Sequence, residues 1–313
     1  MIPERYKKYE KLVTVSCVNF QTVWGDKAAN LDKIKSHIEA AVAVGSNMII
    51  FPEMALSGYE CSDECASNGK PCSMHQESAE TVPGPSTEAI AKLTSKYSVY
   101  VVLGMPERDK NNPGICFNSA ALVGPEGVIG AYRKLHLGSV PPVTESICFT
   151  PGDELPVFET RYGPIGILVC YDFWRHPELS RILTLKGARI IINSTAVAFG
   201  VGRDEFMRVV AAANATVNHV FVASADLVGK DRNKYFMGLS TIVGPIYPRL
   251  APVLAEAADR EQVISATLNF ESLHRLDEFS HWKQERRSEV ISHEFAKLLG
   301  KKQIVKTSRG NTN

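Results

Sequence analysis

Three residue types in this chain, set at matching places in its pattern, could together carry nucleophilic acyl chemistry: Cys170, Glu53 and Lys134. Cys170 ends the apolar run Ile165, Ile167, Leu168 and Val169, which reads as a buried strand. Pro177 with Glu178 then opens an apolar-periodic segment to Lys186 that reads as a helix. A cysteine on such a turn sits at the carboxyl edge of a sheet, where backbone N–H groups can point at a developing anion. Glu53 stands just past the short apolar strand Met48 to Phe51, a place where ligands of α/β sheets bind. Lys134 follows directly on the second strand of a hairpin. A cysteine attacks as thiolate and needs a base, and a carboxylate in a dry pocket takes and returns protons near neutrality. An ammonium nearby favours the thiolate and stabilises the oxyanion formed at an acyl carbon. Each residue also has an ordinary reading: an inert core thiol for Cys170, and solvated charges at strand ends for the other two.

These residues need elements to hold them, and the chain has ample material. Its 313 residues are 44% apolar, enough for a substantial core. A net charge of +1, with no long basic block, gives no support for nucleic acid or an anionic membrane as partner. The amino terminus lacks an apolar core of signal-peptide length, and no apolar run approaches the roughly 18 residues of a membrane span. The expectation is a cytoplasmic protein. Seven scattered cysteines, an odd number, argue for thiols over a disulfide framework.

In chain order, Leu12 to Phe20 reads as a first strand and Ala28 to Val44 as an amphipathic helix ending at Gly45. Glu60 to Pro85 reads as a long irregular loop. A helix over Thr87 to Tyr97 and a strand over Val99 to Gly104 follow. Next comes a hairpin of Cys116 to Val123 and Val128 to Tyr132, turning at Gly124-Pro125-Glu126-Gly127. Beyond Cys170 the pattern gives strand Arg189 to Asn193, helix Glu205 to Asn218, strand Val220 to Ala225, and strands at Leu239 to Val243 and Val263 to Leu268. Such alternation means an α/β fold with helices covering a sheet. Residues 1–280 are expected to form the main domain. Residues 281–313 are an extension that begins as a helix, ends in a polar tail from Lys301 to Asn313, and can pack on a neighbouring subunit or on its own domain.

Three blocks now carry a resemblance: FPEMALSGY (Phe51 to Tyr59), YRKLHL (Tyr132 to Leu137) and CYDFWRHPELSR (Cys170 to Arg181). In order and spacing they resemble the signature blocks of the nitrilase superfamily of carbon-nitrogen hydrolases, in an aliphatic amidase-like branch. The flanking pieces FNSAALVGPEGVIGAYRK, TPGDELPVFET and ARIIINSTA agree, and the resemblance spans about Leu12 to Asn269. It implies a four-layer α-β-β-α sandwich with a Glu–Lys–Cys triad of Glu53, Lys134 and Cys170. It also implies a second glutamate at Glu145 and pairing into a homodimer or higher homo-oligomer.

By this resemblance Cys170 attacks a carbonyl while Glu53 takes the thiol proton and passes it to the leaving nitrogen, giving a thioester and ammonia. Water, activated by Glu53 and positioned with Glu145, then hydrolyses the thioester. Lys134 and the Tyr171 N–H hold each oxyanion. No metal or other cofactor is required. Nitrile-cleaving members typically continue Cys-Trp-Glu, whereas Tyr171 and Asp172 here match amide-cleaving ones. A small-molecule amide is therefore the favoured substrate, with N-carbamoyl compounds and nitriles as enzymatic alternatives and a silent scaffold as the non-enzymatic one. Arg175 could anchor a substrate carboxylate or simply lie at the surface. Tyr59, Phe173, Trp174, Thr195 and Ala196 are candidates to line a pocket, or to pack in the core. Cys61, Cys65 and Cys72, with His75, invite a zinc reading, but their spacing fits no common zinc pattern, and a lid loop is the better account. His136 beside Lys134 lacks the context of a papain-type pair, and no phosphate-cradling glycine motif occurs.

Overall fold

The computed structural model describes residues 3–138 and 145–308. Its strands in chain order are β1 (Leu12–Asn19), β2 (Met48–Ile50), β3 (Tyr100–Arg108), β4 (Cys116–Gly124), β5 (Gly127–Arg133), β6 (Val157–Phe158), β7 (Ile165–Val169), β8 (Ile190–Thr195), β9 (Phe221–Asp226), β10 (Val228–Asp231), β11 (Lys234–Met237), β12 (Thr241–Val243), β13 (Val253–Glu256) and β14 (Gln262–Asn269). The helices are α1 (Lys27–Ala43), α2 (Asp63–Asn68), α3 (Ser73–Ser78), α4 (Pro85–Tyr97), α5 (Glu145–Cys148), α6 (Tyr171–Arg175), α7 (Pro177–Leu185), α8 (Arg203–Asn218), α9 (Glu271–Phe279) and α10 (Ser288–Ser308). Two six-stranded sheets form, in the orders β14-β1-β2-β3-β4-β5 and β13-β12-β9-β8-β7-β6.

The period-two alternation of the strands stacks these sheets. In β3, Tyr100 and Val102 point into an apolar layer shared with Ile165 and Ile167 of β7 and Ile190 and Ile192 of β8. Val101, Leu103 and Met105 of the same strand point the other way, onto Ile34 and Ile38 of α1 and Ile90 of α4. Leu179 and Leu183 of α7, with Ala211 and Ala215 of α8, cover the second sheet. Gly166 makes room for that cover, since a Cβ there would lie 2.8 Å from Leu183 Cδ1. The result is helix, sheet, sheet, helix, the α/β four-layer sandwich expected. Each fully buried Ile or Leu contributes about 1.5–3 kcal/mol, so the apolar layers supply the driving force that the polar site does not.

Three expectations change. The stretch Glu60 to Pro85 contains α2 and α3 rather than irregular loop alone. Six-residue helices span less than two turns, too few for periodicity to reveal. Another short helix, α6, stands between Cys170 and α7, ended at His176 ahead of Pro177. At the carboxyl end α10 runs to Ser308, into the segment read as a polar tail, whose residues 309–313 lie outside the described ones. The chain divides into two compact units, 1–276 and 277–313. Among the described residues no helix is long and apolar enough to cross a membrane.

Candidate active site

Lys134 is the hub of the site. It follows β5, is 1% exposed, and donates from Nζ to Glu53 Oε1 at 2.8 Å and to Glu145 Oε1 at 2.7 Å. Glu53 follows β2 and is fully buried; its Oε1 also accepts from Asn118 Nδ2 at 2.7 Å, while Oε2 accepts no hydrogen bond among the described residues. The backbone here is closely fitted, for a Cβ on Gly104 would sit 2.0 Å from Pro52 O and 2.7 Å from Glu53 Cα. Glu145 opens α5; its Oε1 also accepts from the Tyr59 hydroxyl at 2.9 Å and its Oε2 from the Gly138 N–H at 2.7 Å.

Two carboxylates share one cation, and their environments drive them apart. Burial pushes the Glu53 carboxyl up to about 7, the Lys134 ammonium opposing the rise and the Glu145 charge adding to it. Burial also penalises charge on Glu145, but Lys134, with the hydrogen bonds from Lys134, Gly138 and Tyr59, outweighs it and holds Glu145 below the usual range. For Lys134 burial works against the ammonium, yet Glu145 and Glu53 hold its pKa well above the ordinary value. One carboxyl poised near neutrality beside one fixed as an anion is how acid–base and electrostatic roles separate.

Cys170 lies between β7 and α6 with φ 52° and ψ −105°, a conformation that costs a non-glycine residue on the order of 1–3 kcal/mol. Its N–H donates to Ser194 O at 3.0 Å and to Asn193 Oδ1 at 3.1 Å, which holds the strained turn on β8. Ser194 Oγ in turn donates to Phe51 O, two residues before Glu53, tying the carboxyl ends of the two sheets together. The thiol is 5% exposed; burial and then the Glu53 charge push its pKa well above the ordinary value, against the pull of Lys134. It rests as a thiol, and Glu53 Oε2 has no hydrogen-bond partner among the described residues. At the start of α6 the N–H groups of Phe173 and Trp174 already donate to Cys170 O, and Tyr171 is the first residue of the helix.

The other predicted residues divide. Tyr59 joins the site through its hydroxyl; Thr195 is fully buried, and its Oγ1 has no hydrogen-bond partner among the described residues. Ala196 is 6% exposed and packs in the apolar cluster beneath the first sheet. Phe173, 1% exposed, belongs to the core between the sheets, and Trp174 packs against that core, edge-on to Phe206. Arg175 is exposed, with its guanidinium 4.9 Å from the Phe206 ring centroid, and the structure does not bring it to Cys170.

Sequence reasoning passed over the residue that joins the lysine segment to the cysteine segment. Asp172, fully buried, accepts from the Tyr132 hydroxyl at 2.6 Å, the Leu135 N–H at 3.0 Å, the His136 N–H at 2.9 Å and His136 Nδ1 at 2.7 Å. Its place beside Tyr171 drew notice as a substrate clue, but nothing local announces four donors arriving from residues 132–136. Asn118 was likewise only part of a flanking block.

A second polar cluster adjoins the first. Cys148 lies three residues after Glu145 on α5, and its Sγ is 3.4 Å from Cys61 Sγ and 3.2 Å from Cys65 Sγ. Cys72 and His75 complete the group, in which no cysteine is in a disulfide. Hydrogen bonding with Cys61 draws Cys72 and Cys148 below the ordinary thiol range, against the effect of burial. The spacing of Cys61, Cys65, Cys72 and His75 gave no hint that Cys148 would join them from beyond β5.

Residues 14–277 match the family described as Carbon-nitrogen hydrolase, and the chain belongs to that family. It is similar to a probable nitrilase of Schizosaccharomyces pombe, at 31% identity over 260 residues covering 82% of this chain and 89% of that one. It is also similar to an omega-amidase, NIT2, of Xenopus tropicalis, at 30% identity covering 86% and 93%. Among solved structures, Nit3 of Saccharomyces cerevisiae, a member of branch 10 of the nitrilase superfamily, superposes with a TM-score of 0.76 at 25% identity, covering 90% of this chain and 98% of that one.

Proposed function

Starting from a carbon-nitrogen hydrolase, we propose that this chain converts a small-molecule amide to a carboxylic acid and ammonia through a thioester on Cys170. The observation that carries the reading is the Lys134 ammonium bonded at once to Glu53 and Glu145, with the two carboxyls driven to opposite sides of their usual range. In the proposed reaction Glu53 takes the thiol proton as Cys170 sulfur bonds to the carbonyl carbon. Lys134 Nζ and the Tyr171 N–H receive the oxyanion. The proton on Glu53 then goes to the nitrogen, the C–N bond breaks, and ammonia leaves an acyl-thioester. Water, losing its proton to Glu53, attacks that thioester; the C–S bond breaks, the proton returns to sulfur, and the acid leaves. Glu145 keeps Lys134 protonated throughout and, through Tyr59, shapes the wall on the water side.

An amide is supported by Tyr171 and Asp172 after the cysteine and by similarity to an omega-amidase. A nitrile is the second reading, and similarity to the probable nitrilase favours it. The test is ammonia release from short aliphatic amides, dicarboxylic monoamides, N-carbamoyl compounds and nitriles, with Cys170→Ala as control. Cysteine-dependent turnover of amides above nitriles is the expected result; turnover of nitriles alone, or activity kept by Cys170→Ala, would overturn the proposal.

A further inference from the structure

The proposed reaction uses none of the soft donors gathered beside it. Cys61 Sγ, a ring nitrogen of His75 and Cys148 Sγ all lie within 4.8 Å of one another, and Cys65 Sγ is 3.2 Å from Cys148 Sγ. His75 Nε2 stands 3.1 Å from Gly58 O. A carbonyl only accepts, so Nε2 carries the hydrogen, and Nδ1 is the nitrogen turned toward Cys61 Sγ, at 3.9 Å. That arrangement, one ring nitrogen anchored to a backbone carbonyl and the other facing the donors, is how metal-binding imidazoles are oriented. The sulfurs also receive backbone donors: Ser62 N–H to Cys72 Sγ at 3.2 Å and Cys72 N–H to Cys148 Sγ at 3.4 Å. His75, Cys65, Cys72 and Cys148 are at most 4% exposed, and Phe149 packs 5.1 Å from the His75 ring.

Four thiols and an imidazole are a donor set for a soft, tetrahedral divalent ion. Sulfurs around zinc, with bonds of about 2.3 Å, lie roughly 3.8 Å apart. Separations of 3.2 and 3.4 Å therefore need to open by only a few tenths of an ångström. A disulfide would use two of the thiols and leave the oriented imidazole without a purpose. We infer that Cys61, His75 and Cys148, with Cys65 or Cys72 as fourth ligand, bind a zinc ion that fastens the segment after Tyr59 to the helix carrying Glu145. Tyr59 precedes Cys61 by two residues and Glu145 precedes Cys148 by three, and their side chains meet at 2.9 Å. The ion would thus brace one wall of the active site. That bracing rests on the amidase reading, whereas metal binding does not.

The test is elemental analysis of the full chain produced in zinc-supplemented medium and purified without chelator. About one zinc per chain is expected, lost in Cys148→Ser and His75→Ala and kept in Cys17→Ser, whose thiol is buried in β1. Because a ligand variant can fail to fold, cobalt(II) exchanged into the wild-type chain gives an independent readout, the absorption of a tetrahedral cobalt–thiolate centre. Wild-type protein with neither zinc nor a cobalt spectrum, stoichiometric iron or copper instead, or a disulfide among Cys61, Cys65, Cys72 and Cys148 by mass spectrometry would each overturn the site. Chelation is expected to lower kcat about tenfold or more while Cys170 still alkylates; unchanged kcat in zinc-free protein would overturn the bracing role.

Discussion

The cluster around Lys134 and the cluster around Cys148 bury polar side chains side by side, and they do so on opposite principles. Around Lys134 every charge meets its counter-charge inside the protein, Glu53 and Glu145 on one ammonium at 2.8 and 2.7 Å. Around Cys148 the groups are weak hydrogen-bonding partners for each other, and their chemistry suits a cation that the chain does not itself supply. The first is complete as folded and so can be poised for reaction; the second gains its cohesion from a guest. The difference teaches that burial alone does not set a thiol's surroundings, since Cys170 lies buried near a carboxyl while Cys65 lies buried among other thiols beside His75.

Removing the reacting sulfur separates the two clusters most sharply. Cys170→Ala is expected to cut ammonia release at least about 10⁴-fold with the melting temperature unchanged, as measured by steady-state kinetics and calorimetry. If activity survived, the proposal that Cys170 forms the thioester would fall. Glu145→Gln strikes the helix that both clusters share. A fall in kcat of about 10²–10³-fold is expected, by analogy with loss of one oxyanion-stabilising group. The pH profile gives a second readout. Glu53 must be ionised to act as base, so wild-type kcat/KM should rise with pH through about 7. The Glu145 charge raises Glu53, so the limb in Glu145→Gln should move to lower pH; an unmoved limb would make Glu145 a mere support.

Asp172→Asn tests the frame of the first cluster. The new amide turns an N–H₂ toward some of four donors, and a loss of about 2–4 kcal/mol by denaturant unfolding is expected, with kcat down about tenfold as Lys134 shifts. Arg175→Ala, outside both clusters, should change stability by less than about 0.5 kcal/mol and leave KM unchanged. A KM raised selectively for dicarboxylic monoamides would restore the anchor that sequence reasoning placed there.

That Glu53 and Lys134 meet in a buried cluster was legible because each lies just beyond a strand, where a sheet presents groups to ligands, and because their surroundings repeat a family's blocks. The strands were legible for a related reason: two-sided burial writes continuous apolar runs such as Ile165–Val169. What escaped depends on the third dimension. Asp172 gathers donors from a hairpin whose Tyr132 stands 40 residues earlier. Cys148 meets Cys61 across 87 positions, and neither partner's neighbourhood carries a trace of the other. Arg175 has two readings in the sequence, and the structure shows it exposed on α6 with its guanidinium beside the Phe206 ring.

The helix α5 is a single turn, Glu145 at its first position and Cys148 at its last. A rigid body so small cannot move at one end and stay still at the other. If zinc at Cys148, by holding Glu145 and the wall it forms with Tyr59, tightens binding of a substrate, thermodynamic reciprocity requires that same substrate to tighten zinc by the same factor. Zinc would then be held more tightly while substrate is present, making the zinc affinity a recorder of occupancy in the neighbouring site.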